Sequence, residues 1–314
     1  MKTMKLTGFS LAIAIGLGLF ASCSDDDSNG GGATPLPPIG GYNSADEVGA
    51  ADLLAYWPLN GSGVEAKSNT APTNSVGTTW TSSGVKGQAA DLTAGYITYP
   101  QIAALTQTMS AFTISAWVKV KNNQTAVEGS GSVSTFFSMA RPGGDWQGNI
   151  MLYAETGQMR PVTPEGVAND SIKVKAGWST VANGSQIYEN ALHLEPWMVA
   201  DNLVTPGKHV AGPNVIGGTW AQLVFTWDGA THKFIIYSNG GKISNPAFEI
   251  RGENNSLTMD VSSSPMIGAF GNVATTTDSW NKPLTGQVDE IRIWKKALSQ
   301  ADIGFLYELE RAGR

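Results

Sequence analysis

Four tryptophans sit where a chain could use them for recognition rather than for packing. Trp146, Trp178, Trp197 and Trp280 lie in surroundings rich in Gly, Asn and Asp. Sugar rings present flat C–H faces that settle on an indole, while neighbouring Asp, Asn and Gln take the hydroxyls. The competing reading is that each of the four covers the small core of a long loop. Trp57, Trp117, Trp227 and Trp294 fall instead on strand-like runs and are read as packing residues.

Hydrolytic chemistry is harder to assemble. His193 and Glu195 would share a face if their segment were a strand, but a lone His and Glu pair is usually a surface hydrogen bond. His209 and His232 stand apart from any Ser or Cys nucleophile arrangement, so no triad follows. The single cysteine, Cys23, excludes an intrachain disulfide and a cysteine-based zinc site. A formal charge of −6 with no basic stripe excludes nucleic acid as a partner.

The elements that must carry these residues are short strands. Only 15% of residues are charged, 41% are hydrophobic and 37 are glycine, which favours strands and turns over amphipathic helices. In the run from Phe112 to Val120, Phe112, Ile114, Ala116, Val118 and Val120 alternate with Thr113, Ser115, Trp117 and Lys119, giving a core face and a partly exposed face. Residues 220–240 read as two strands joined at Asp228 and Gly229, with a further turn at Asn239 and Gly240. Leu223, Phe225 and Trp227 share one face there, as do Phe234 and Ile236. Between Met139 and Trp220 run about 80 residues, too many for a structureless loop, so extra strands or an elaborated rim are expected. Individual function is expected in that region.

Near the C-terminus, Ile291 and Ile293 point to one face of a strand and Arg292 and Trp294 to the other. Val288, three residues before Ile291, breaks the alternation and predicts a bulge around Asp289 and Glu290. Ser299 with Asp302, and Leu298 facing Ile303, form a capping box and a hydrophobic staple that start a short helix.

The ordered series YWPLNGSG, GVKGQAADL, FTISAWVKV, WAQLVFTWDG, KFIIYSNG, PMIGAF and GQVDEIRIWKKALS resembles the laminin-G-like group of the concanavalin A-like lectin and glucanase superfamily, from about Leu53 to Glu308. The resemblance implies an all-β fold, a two-sheet antiparallel jelly-roll sandwich with a short C-terminal helix, and makes Trp220 the residue that opens a structural strand. Catalytic relatives carry two glutamates and an aspartate at alternate positions of one strand, a pattern with no counterpart in this sequence. The same relatives bind a structural calcium through an Asp on the last strand. The run Asp289, Glu290, Ile291, Arg292, Ile293 is similar to theirs, with Glu replacing an aromatic, and it makes Asp289 the expected calcium ligand. The alternative is an Asp that accepts backbone N–H bonds at a strand bulge.

At the other end, Lys2 and Lys5 precede an apolar run from about Phe9 to Ala21, a secretory signal too short for the roughly 20 residues of a membrane span. LFASC resembles a bacterial lipobox that would place a lipid on Cys23, and the acidic run Asp25, Asp26, Asp27 resembles a surface-export signal. The expected organisation is a lipoprotein signal over 1–22, a flexible acidic, Gly- and Pro-rich tether over 23–50, and a jelly-roll domain over 51–314. Together these readings describe an outer-membrane lipoprotein, facing the cell exterior or the periplasm, that binds a polysaccharide without catalysis. A protein-binding adhesion or assembly domain is the alternative, and a glycan hydrolase or lyase a third.

Overall fold

The computed structural model describes residues 35–123, 131–141, 146–156, 171–182, 185–192, 215–216, 218–244, 249–250, 256–259 and 263–314. Its compact unit is Pro37–Arg314. In chain order the strands are β1 Leu53–Trp57, β2 Asn74–Thr81, β3 Ala89–Thr98, β4 Ala111–Lys119, β5 Ser134–Ala140, β6 Ile150–Glu155 and β7 Ser171–Ala182. Then come β8 Ser185–Leu192, β9 Val215–Ile216, β10 Ala221–Asp228, β11 Lys233–Ser238, β12 Gly241–Lys242, β13 Ser264–Ile267 and β14 Leu284–Trp294, before the closing helix α1, Gln300–Arg311. The expected extra strands between Met139 and Trp220 are present as β6 to β9.

Hydrogen bonding runs in the order β12, β11, β10, β4, β14, β3, β13, β5, β6, β7, β8, with β1 on β14, β2 on β3 and β9 on β7. Every strand ladder is antiparallel. This path doubles back on itself. Trp178 of β7 stacks on Phe234 of β11 at 5.7 Å and meets Trp227 of β10 at 4.9 Å, while Phe137 of β5 meets Trp57 of β1 at 5.4 Å. Two layers therefore face each other across a shared core, as the alternating sequence requires. Phe112, Ile114, Ala116 and Val118 of β4, Leu223, Phe225 and Trp227 of β10, and Ile291 and Ile293 of β14 all point into it.

The second face of β4 departs from expectation. Thr113, Ser115 and Trp117 are buried rather than partly exposed, because α1 lies across them. The helix begins as its sequence predicts: the Asp302 N–H donates to Ser299 Oγ at 3.1 Å, and Leu298 and Ile303 are buried together. Asp302 also accepts a bond from the Tyr42 hydroxyl at 2.9 Å, which gives its short side chain a partner in the segment before β1.

That segment is itself packed. Ala45 and Val48 are buried against α1, the Trp294 indole N–H donates to the Val48 carbonyl at 3.0 Å, and Arg314 Nη1 donates to the Pro37 carbonyl at 3.0 Å. The expected tether to residue 50 thus gives way to folded structure by Ile39, since Ile39, Tyr42, Ala45 and Val48, spaced three apart, supply an apolar stripe that Gly and Pro content obscures.

Between α1 and the sheet lies a buried ionic cluster. Arg292 Nε donates to Glu310 Oε1 at 3.0 Å, Nη2 to Glu290 Oε2 at 2.8 Å and Nη1 to Asp46 Oδ1 at 2.7 Å. Glu310 Oε2 further accepts from Trp117 Nε1 at 2.6 Å and Gln222 Nε2 at 2.9 Å, and the guanidinium sits 3.9 Å over the Tyr56 ring. Removing one member of such a buried set strands the others without compensation. Arg292→Ala is expected to cost about 3–5 kcal/mol of unfolding free energy in denaturant titration. Asp46→Ala, whose side chain is 61% exposed, should cost about 1 kcal/mol or less; equal losses would mean that burial does not set the strength of this cluster.

Candidate functional site

On the outer face of the other layer, β6 alternates Ile150, Leu152 and Ala154 into the core with Met151 and Tyr153 outward. These outward side chains are nonetheless buried, because Phe270, Trp146 and Trp280 fold over them from adjoining loops. Trp146 and Trp280 meet edge to face, with centroids 5.9 Å apart and planes at 89°. Phe270 braces both rings, at 5.7 Å from Trp146 and 6.2 Å from Trp280, and also contacts Tyr153 at 5.5 Å. Each tryptophan keeps part of its surface exposed.

The backbone fixes this pair. The Val133 N–H donates to the Trp280 carbonyl at 2.9 Å, and Arg141 Nε donates to the Gln147 carbonyl at 2.6 Å, one residue from Trp146. Beside Trp280, Asn281 Nδ2 donates to Asn272 Oδ1 at 2.7 Å, while Asn281 Oδ1 is buried with no hydrogen-bond partner among the described residues. Rings held at right angles, each with part of its surface exposed, can receive the C–H face of a sugar.

Of the sequence candidates, Trp146 and Trp280 come together and Trp178 does not join them. Trp178 is fully buried at the centre of the sandwich, since Ile172, Val174, Ala176 and Trp178 alternate inward along β7. Its glycine-rich context disguised that two-residue period. Trp197, His193, Glu195 and His209 lie outside the described residues. Trp220 donates its indole N–H to the Ser83 carbonyl at 3.2 Å, a structural bond at the mouth of β10. Phe270 and Tyr153 complete the aromatic group, and no local pattern around Phe270 in the PMIGAF run marks it as the base of a platform.

Asp289 stands at the expected bulge: the β14 register shifts between Asp289 and Arg292, and Glu290 adopts φ 48°. Its carboxylate is buried among donors. Oδ2 accepts from the N–H groups of Val85 at 2.7 Å and Lys86 at 3.3 Å, and Oδ1 from that of Glu290 at 3.0 Å. Calcium needs oxygen atoms turned toward it, whereas here backbone N–H groups converge, so this donor set fits a carboxylate held by the backbone and does not fit the ion. Among the described residues, no group of three His, Cys, Asp or Glu side chains is placed to hold a metal.

With this geometry in view, comparison with known proteins gives three findings. The Laminin_G_3 family, described as the concanavalin A-like lectin/glucanases superfamily, matches residues 91–304. Among curated proteins, nothing matches. Solved structures share the fold at low identity. The binding domain of Paraclostridial Mosquitocidal Protein 1 is 14% identical with a TM-score of 0.51, over 82% of this chain and 52% of that one. The botulinum neurotoxin serotype G binding domain is 11% identical with a TM-score of 0.51, over 82% and 51%. Domain 4 of the arabinanase AbnA from Geobacillus stearothermophilus, solved with arabinotriose, is 17% identical with a TM-score of 0.47, over 82% and 98%. The chain thus spans about half the length of the two toxin domains.

Burial, and after it the charge of Glu290, pushes the Asp289 carboxyl up to about 8, against the lowering pull of its three backbone bonds. A folded pKa above the unfolded value of about 3.9 stabilises the fold fully below that value and progressively less as pH rises toward 8. The melting temperature should therefore fall between pH 5 and pH 9. Asp289→Asn should flatten that fall in part, the remainder belonging to Glu310, whose carboxyl burial also raises. An unchanged slope in the variant would show that Asp289 is ionised throughout.

Proposed function

We propose, from the premise that this chain belongs to the concanavalin A-like lectin/glucanases superfamily, that it is a non-catalytic carbohydrate-binding domain displayed on a bacterial outer membrane by a lipid on Cys23. The observation that carries the binding reading is the pairing of Trp146 and Trp280 as partly exposed rings on a braced aromatic base. Rigid aromatics lose little conformational freedom when a ligand settles on them, so what they bury goes largely into affinity. The adjoining Asn272, partly exposed and held by the buried Asn281, supplies a polar group beside the rings that can orient a ligand bearing hydroxyls.

The buried carboxylates among the described residues are occupied otherwise. Glu290 and Glu310 share Arg292 beneath α1, and Glu65 accepts the N–H groups of Tyr56, Lys67 and Ser68 at 2.7, 2.9 and 2.7 Å. Acid–base cleavage of a glycosidic bond needs two carboxyls aimed into a cleft, and these acids are committed to the frame.

The binding reading is tested on a glycan array with the chain from Pro37 onward. Trp146→Ala and Trp280→Ala should each weaken the glycan that binds by about tenfold or more, consistent with truncating an anchoring aromatic, while the fold still melts cooperatively at a somewhat lower temperature. Trp178→Ala should instead cost about 3–5 kcal/mol of stability. A wild-type domain that binds no glycan, or binding untouched by both substitutions, would sink the reading. The anchor is tested separately: Cys23→Ala should abolish incorporation of labelled palmitate and release the protein from the membrane fraction, and retained label would refute it.

A further inference from the structure

The geometry of the Trp146 and Trp280 pair limits the shape of the sugar it can hold. Two aromatic side chains grip a sugar with one ring on each side of it, with both rings flat along one face of an extended chain, or with one ring beneath it and the other against its rim. The centroids of Trp146 and Trp280 are 5.9 Å apart. That is the separation of rings already in contact, about 4.5–7 Å, and it leaves no space for a third ring between them. The first arrangement is closed.

The second fails on angle. The two planes meet at 89°, so a flat ribbon of successive sugar units lying on one indole cannot also lie on the other. Phe270, 1% exposed, holds both planes in place, meeting Trp146 at 69° and Trp280 at 68° while itself resting on Tyr153. Nor does the platform continue. In the group formed with Met151, Tyr153 and Phe270, Trp146 and Trp280 are the partly exposed aromatic rings among the described residues. Between Phe270 and Trp280 the chain turns back on itself: the Val273 N–H donates to the Phe270 carbonyl at 3.1 Å, those of Thr275 and Thr276 to the Asn272 carbonyl at 3.0 and 2.9 Å, and that of Asn281 to the Asp278 carbonyl at 3.2 Å. This loop exposes Thr275, Thr277, Asp278 and Ser279 and adds no aromatic residue before Trp280. What is left is a corner, with one indole as floor and the other as wall.

We propose that the pair is a one-unit site: it takes a single sugar ring, free or carried on a longer glycan, and gains nothing from the units linked to it. This deepens the carbohydrate-binding reading and rests on it. The C–H face of the ring stacks on one indole, its rim abuts the other, and the rest of the glycan leaves the corner into solvent. Ligands are then told apart by the kind of sugar they present and not by the length of the chain.

The test is calorimetric titration of the full chain with the methyl glycosides of glucose, galactose, mannose, xylose, arabinose and N-acetylglucosamine, and with the linear two-, four- and six-unit oligomers of each. Within the series that binds, the single unit and the six-unit oligomer should agree to about threefold, because linked units that touch nothing add nothing to affinity. With the single unit as probe, Trp146→Ala and Trp280→Ala should each lower affinity by about tenfold or more, since both rings touch the same sugar. An affinity that climbs by about tenfold or more from one unit to six, or a variant that weakens only the longer oligomers, would show the rings serving separate units and would overturn the one-unit site with carbohydrate binding intact. Absence of binding across every series would overturn the site together with the reading it rests on. The length series uses the unaltered chain, so it decides the matter whatever the stability of the variants.

Discussion

The constraint on which the rest of the structure depends is a guanidinium placed where water cannot reach it. Arg292 points away from the sandwich core, and everything packed over it exists to keep it paired: Glu310 comes from α1, Glu290 from its own strand and Asp46 from the segment before β1. The bulge in β14 makes this arrangement possible. Val288, Ile291 and Ile293 stay inward, while the extra residue lets Asp289 and Glu290 both serve the outer side. Glu290 accepts a positive φ of 48°, a strain that its bonds to Arg292 and Tyr56 offset. One charge thus ties together the last strand, the last helix and the chain's entry into the domain.

The outer faces of the two layers follow from how each is closed. One is sealed by α1 and the segment from Ile39 to Val48, through Trp117, Trp294 and the Arg292 cluster. Among the described residues no helix covers the other at this place; loops bring Phe270, Trp146 and Trp280 over Met151 and Tyr153 instead. A loop cap of aromatics leaves rings partly open where a helix would leave none, so the same need to hide a strand's outward side chains leaves partly exposed indoles on one layer and a helix-covered face on the other.

Much of the frame was legible because it rests on local rules. The alternation in β4 and β10, the turn at Asn239 and Gly240 with both residues at positive φ, the bulge at Asp289 and the Ser299 cap are each written within a few residues. What was hidden depends on distant partners. Nothing near Trp178 says that β7 faces Trp227 across the core, and nothing near Trp117 says that a helix will cover it. Trp146 and Trp280 were visible as candidates, yet their meeting required Phe270 and the β6 face. The likeness of the last strand to calcium-binding relatives suggested a ligand at Asp289, where the loop from Gly84 to Gln88 brings backbone donors that no local pattern announces.

Carboxylates decide what kind of protein such a sandwich becomes. An acid available for chemistry must face substrate and remain uncommitted to the fold, and its pKa must be set by the site. The buried acids described here are consumed by architecture: Glu65 closes a loop over β1, Asp289 holds the loop before β3, and Glu290 and Glu310 neutralise Arg292. Retargeting any of them would unfasten a strand or a helix, so these four acids are committed to the frame. Groups that the frame does not bury completely remain at the surface, the partly exposed indoles of Trp146 and Trp280 among them.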